Sequence, residues 1–177
     1  IARIMAISAT LCSAITVSIG CCSPLTSAAS AHTGHHTCWH FPGPAPAAEA
    51  MAAALPGTIV TDTKGAKSYD LHDFDLVGFG SGIYAGGFDK RIVKLVNSLD
   101  DESANTFVFS TSGGDDTHYN QLLITSLEAK NKTVAGDFSC LGLNKFFLLR
   151  LIGGLNKDCP TEKDLKEAGD FLCRIAK

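Results

Sequence analysis

Between residues 89 and 99 the apolar side chains Ile92, Val93, Leu95, Val96 and Leu99 recur at intervals of three and four, behind an aspartate that can cap the first turn. That period predicts a helix with one face turned to a core. Residues 161–177 repeat the pattern, and Thr161 precedes Asp164 at the spacing of a capping box. A third helix is predicted over 117–130, and a fourth over 47–55 (AAEAMAAAL), made of strong helix formers and stopped by Pro56-Gly57. Between the helices lie short β-rich runs: 58–61 (TIVT), 74–82 (FDLVGFGSG), 105–114 (NTFVFSTSGG) and 133–140 (TVAGDFSC). Strands alternating with helices through short connections predict a parallel sheet covered on both faces.

In such sheets ligands bind beyond the carboxyl ends of the strands, where the strand order reverses. Two strands run into loops of unusual composition. Residues 78–90 (GFGSGIYAGGFDK) are rich in glycine around Tyr84, so the backbone can approach a flat ring on which the aromatic can stack. Residues 109–120 (FSTSGGDDTHYN) are dense in hydroxyls and amides, which suits a heteroaromatic edge or an anion. Ser112 lacks the Gly-x-Ser-x-Gly frame of a nucleophile elbow, and His118 is the sole nearby base, so hydrolysis is set aside.

Charge changes the picture at the N-terminus. Arg3 and Glu49 are the only charged residues before Asp62 in a chain with 15 basic and 18 acidic side chains. Five of the six prolines fall within the first 56 positions. An exposed surface needs polar cover, so the first 46 residues are processed, buried or anomalous. Residues 1–29 read either as a targeting peptide, with small residues for cleavage at 28–31, or as holding a first buried strand, with 15–20 (ITVSIG) the candidate run. The net charge of −3 points away from nucleic acid, and no run is apolar enough for a confident membrane span. Seven cysteines without a CxxC pair are poor grounds for a disulfide framework, which favours reduced thiols and a cytoplasmic protein, export by the apolar N-terminus being the alternative.

Taken in order and spacing, the blocks DFDLVGFGSGIYAGGFDKRIVKLVNSL, FVFSTSGG, GDFSCLGLNKF and LIGGLNKDCPTEKDLKEAGDF resemble the short-chain flavodoxin-like family over about residues 47–177. The resemblance implies an α/β fold, a flavodoxin-like three-layer α/β/α sandwich around a five-stranded parallel sheet of order 2-1-3-4-5, with FMN at the switch point. It assigns Ser81, Gly82, Ile83, Tyr84, Ala85 and Gly86 to the loop covering one face of the flavin, Tyr84 stacking and Gly86 or Gly87 supplying a turn peptide that can reorient. Ser110, Thr111, Ser112, Gly113 and Gly114 fall to the loop facing the pyrimidine edge.

The family's phosphate loop corresponds to residues 30–37 (SAHTGHHT), which keep Thr33, Gly34 and Thr37. Two histidines replace the expected Asn-Thr, and CWHFPGPA separates the loop from the next helix. Prolines 42, 44 and 46 are expected to break that helix and deprive the phosphate of its N-terminus. Four readings stand for this stretch: a working loop followed by a Pro-rich insertion over 38–46, non-coding or frameshifted sequence within 1–46, a metal site of His32, His35, His36, Cys38 and His40, and disorder. The domain is taken as 30–177.

These assignments lead to an FMN-binding carrier of electrons between redox partner proteins, needing no acid or base side chain. The alternatives are an NAD(P)H-dependent quinone or flavin reductase on the same fold and a cofactor-free interaction module.

Overall fold

The computed structural model describes residues 2–9, 44–99, 105–114, 118–143, 156 and 158–177. Among the described residues six strands, β1 (Ile4–Ser8), β2 (Ile59–Asp62), β3 (Leu76–Tyr84), β4 (Gly87–Phe88), β5 (Asn105–Ser112) and β6 (Val134–Leu141), alternate with helices α1 (Ala45–Ala54), α2 (Lys90–Asn97), α3 (His118–Glu128) and α4 (Glu162–Ile175). The sheet runs β2-β1-β3-β5-β6, every neighbouring pair parallel, and two-residue β4 pairs antiparallel with the end of β3. Leaving out β4, the five long strands have the expected order 2-1-3-4-5.

The first strand lies within the apolar N-terminal segment, ahead of residues 15–20, which fall outside the described residues. It is wholly buried because β2 and β3 flank it and helices cover both faces. Cleavage at 28–31 would take this strand out of the sheet.

Side chains alternate between two cores. Met5, Ile7, Val77, Phe79 and Val108 face Ile92, Val96, Leu123 and Leu127 of α2 and α3. Ile4, Ala6, Leu76, Phe107 and Phe109 face Ala47, Met51, Phe171 and Leu172 of α1 and α4. Strands buried on both faces show no polar alternation, so they read as continuous apolar runs.

Three helix starts show how local sequence sets the elements. Asp89 caps α2 by accepting the Arg91 amide, and Thr161 and Asp164 form the reciprocal capping box of α4. At α1 the expectation fails: Pro46 is the helix's second residue and Pro44 its N-cap. A first-turn amide has no intrahelical acceptor, so proline there loses no hydrogen bond and its fixed φ suits the helix. Gly169 lets α4 close on α1, since a Cβ there would stand 2.8 Å from the Ala54 Cβ.

The glycines of β3 also differ from expectation. Gly78, Gly80 and Gly82 all belong to a regular strand, which runs on to Tyr84. They share the face turned to α1 and α4, across from Phe107, Phe109 and Thr111 in register. A Cβ on Gly78 or Gly80 would lie 2.1 Å from the opposing Phe ring. These two glycines are room for aromatic rings, the cross-strand covering of bare backbone.

Candidate functional site

Because the long strands are parallel, their carboxyl ends share one edge of the sheet. From β1 the chain passes to β2 on one side, and then to β3 on the other, so the order reverses between β1 and β3. Every described residue that the sequence assigns to a site lies at this edge. Ser8 pairs with Gly80, Ser81 with Ser110, and Gly82 with Thr111. Thr33, Gly34 and Thr37 lie outside the described residues, as do the four histidines and Cys38. The chain leaves the described residues after Ala9, whose amide bonds the Gly80 carbonyl at 3.0 Å, and re-enters at Pro44 ahead of α1.

Beyond the sheet edge β3 turns back in a tight hairpin. Ile83 pairs with Phe88 and Tyr84 with Gly87, leaving Ala85 (φ 50°) and Gly86 (φ 83°) as a two-residue turn with both φ positive. That is the type I′ geometry, which matches the right-handed twist of the flanking strands. Gly86 adopts it readily, whereas Ala85 pays the left-handed penalty of a Cβ, about 1–2 kcal/mol. Glycine's extra unfolded-state entropy offsets roughly 0.5–1 kcal/mol of that. Ala85→Gly is therefore expected to raise stability by about 0.5–1 kcal/mol, read as a higher midpoint of thermal unfolding. A lower midpoint would mean that the alanine methyl makes a contact worth more than its strain.

Ser81 anchors the hairpin. Its buried hydroxyl donates to the Gly82 carbonyl at 2.6 Å and accepts the Asp89 amide at 2.9 Å. The Asp89 carboxylate in turn holds Arg91 through Nε at 2.9 Å and Nη2 at 2.8 Å. This bidentate pairing is the main reason the Asp89 carboxyl is lowered from its ordinary value. Hairpin, strand and α2 are thereby locked together. Tyr84 lies at the rim, 43% exposed, its ring end folded back over the bare backbone of Gly82.

The β5 side is organised differently from the sequence expectation. Ser110 and Thr111 are buried, their backbones paired with β3 on one side and β6 on the other. The Ser112 hydroxyl donates to the Gly114 carbonyl in a short contact. The hydroxyls of Ser81 and Ser112 thus shape the backbone, and the amides past the strand, at Gly113 and Gly114, are the ones that can turn outward. A side chain on Gly87 or Gly114 would meet nothing within 4 Å among the described residues.

Two residues with no role in the sequence reading brace this loop. Asn156 Nδ2 donates to the Gly113 carbonyl at 3.2 Å and to the Gly142 carbonyl at 3.5 Å, and the Gly142 amide bonds the Ser112 carbonyl at 2.8 Å. Asn156 has φ 57°, a conformation asparagine tolerates better than most residues. Among the described residues, no cluster of three or more potential metal ligands is present, and no helix is long and apolar enough to cross a membrane.

No family model matches the sequence. The structure is similar to that of a flavodoxin from the domain Archaea, with a TM-score of 0.60 at 12% identity over 98% of this chain and 95% of that one. It also resembles an oxidised flavodoxin from Bacillus cereus (TM-score 0.57, 13% identity, 99% and 98% covered). A WrbA-like flavodoxin from Agrobacterium tumefaciens gives a TM-score of 0.55 at 14% identity, with 99% and 95% covered. At such identities the likeness concerns the fold, which is flavodoxin-like. In sequence, an uncharacterized protein of Methanocaldococcus jannaschii is 36% identical over 109 residues, covering 60% of this chain and 73% of that protein. On that identity and span, this flavodoxin-like chain belongs to the same family as the archaeal protein.

Proposed function

We propose that the protein binds FMN at the carboxyl edge of its sheet and carries electrons between redox partner proteins. The observation that supports this reading is the pairing of two loops on neighbouring strands at the carboxyl edge of the sheet: the hairpin bearing exposed Tyr84 beside the Ser112–Gly114 turn. A planar, weakly charged ring with a polar edge fits that combination. Tyr84 would stack on the ring, the amides of Gly113 and Gly114 would meet its hydrogen-bonding edge, and the turn peptide at Gly86 would follow changes in its protonation. Ile83, Ala85, Ser81 and Gly82 hold the hairpin in place, and Ser110 and Thr111 do the same for the second loop.

Thr33, Gly34 and Thr37 would hold the phosphate. Support for an anion in that region comes from α1, which starts without a side-chain cap and with no acidic residue in its first turn. Bound FMN supplies the one- and two-electron chemistry, and the protein tunes it by stacking, hydrogen bonds and exclusion of water.

The test is titration of the purified chain with FMN, followed by quenching of flavin fluorescence. One equivalent should bind. A colourless protein that fails to quench added FMN would leave the cofactor-free interaction module. Tyr84→Ala should weaken binding by about 1–3 kcal/mol, roughly 5- to 150-fold, and shift the midpoint potential. Unchanged affinity and potential would mean that Tyr84 does not face the ring. Stopped-flow mixing with NADPH separates carrier from reductase, because a carrier is reduced directly only very slowly.

A further inference from the structure

The face of β3 turned to α1 and α4 carries Gly78, Gly80, Gly82 and then Tyr84 at every second position. Gly78 and Gly80 are covered from β5 by the rings of Phe107 and Phe109. At Gly82 the series of rings stops, because its partner in register is Thr111. That small side chain lies against Gly142, where a Cβ would stand 3.0 Å from the Thr111 Cβ and 3.3 Å from its Oγ1. Among the described residues, the atoms that a Cβ on Gly82 would meet first all belong to Tyr84: Oη at 2.9 Å, Cζ at 3.1 Å and Cε2 at 3.2 Å. The strand covers its last bare backbone with its own tyrosine.

This tyrosine is held at both ends. Its backbone pairs with Gly87 across the hairpin. The tip of its ring rests on Gly82, whose backbone is paired with Thr111 and whose carbonyl accepts the buried Ser81 hydroxyl at 2.6 Å. Tyr84 nonetheless keeps 43% of its surface exposed for a ligand. A side chain seated before binding loses little rotamer freedom when a ligand arrives.

We propose that Gly82 is a positioning residue: lacking a side chain, it seats the Tyr84 ring in the posture that receives a planar ligand ring. It acts through the tyrosine. The inference rests on the reading of this edge as an FMN site. In Gly82→Ala the new methyl meets the far end of a flexible side chain, so the ring leaves its seat while the strand keeps its place. At Gly80 the same methyl would meet the buried ring of Phe109.

The test is FMN titration of the wild-type chain, Gly82→Ala, Tyr84→Ala and the double variant, with the midpoint potential of each complex. Gly82→Ala should weaken binding roughly 3- to 10-fold, the cost of ordering one side chain anew. It should shift the potential in the same direction as Tyr84→Ala, and move the thermal midpoint by about 3 °C or less. In the Tyr84→Ala background the same substitution should change neither affinity nor potential. Unaltered or tighter binding in Gly82→Ala, or equal losses in both backgrounds, would overturn the inference and leave the FMN reading standing. Failure of the wild type to bind FMN would overturn both. Should Gly82→Ala not fold, nuclear Overhauser contacts between the Tyr84 ring and the Gly82 Hα protons of the wild type decide. They should be present in the free chain and persist in the FMN complex; their absence, or their loss on binding, would overturn the inference.

Discussion

Adding one methyl group at position 80 is expected to destabilise the protein by about 3 kcal/mol, at the upper end of the usual cost of overpacking a core. In Gly80→Ala the new Cβ would stand 2.1 Å from Cζ of Phe109 and 2.2 Å from its Cε2. The ring has nowhere to go. Phe109 is fully buried, stacked on Phe107 at 5.9 Å, and Phe107 packs edge-on against Phe171 at 6.0 Å. For a chain of this size the loss corresponds to a fall in melting temperature of roughly 6–12 °C. Shortening the ring should then relieve the clash, so Phe109→Leu is expected to hurt the wild type but help the Gly80→Ala variant. A coupling of about 1 kcal/mol or more would mark the two sites as one packing unit. Additive losses would show instead that β3 moves aside.

Removing residues 1–9 should abolish cooperative folding. Ile4, Met5 and Ile7 are each 1% exposed or less, and burying such side chains contributes about 1.5–3 kcal/mol apiece. Their combined contribution is comparable with the roughly 5–15 kcal/mol net stability of a whole domain. The truncation also strips ladder partners from β2 and β3 together. Circular dichroism during heating would reveal the outcome, and a sharp transition near the wild-type midpoint would refute the role given to β1.

Which features could be read in advance follows from how far apart the deciding atoms are. Helices α2 and α4 were legible because their apolar stripes and their caps, Asp89 and Thr161, are local. The hairpin and the β5 turn were legible as a pair of special strand ends, and both lie at the carboxyl edge of the sheet on neighbouring strands. The inner glycines were misread, because glycine in a strand and glycine in a loop look alike until Phe107 and Phe109 are seen opposite Gly78 and Gly80. Pro46 was misread as a breaker because the start of α1 could not be located to within a turn. Asn156 and Gly142 carried no signal, their partners Gly113 and Ser112 being remote in the chain and reached through backbone carbonyls and amides.

Periodicity, capping residues and the alternation of strand with helix were enough to establish the class of fold, while the strand order came only with the resemblance of the ordered blocks to the flavodoxin-like family. The class depends on intervals of a few residues, which are written along the chain. Folding decided which glycines turn and which make room, that IMAIS is a strand within the sheet, and that Ser81 and Ser112 hold backbone instead of facing outward. Each of these depends on atoms brought together across the sheet or between layers, where close packing in three dimensions settles what spacing along the chain leaves open.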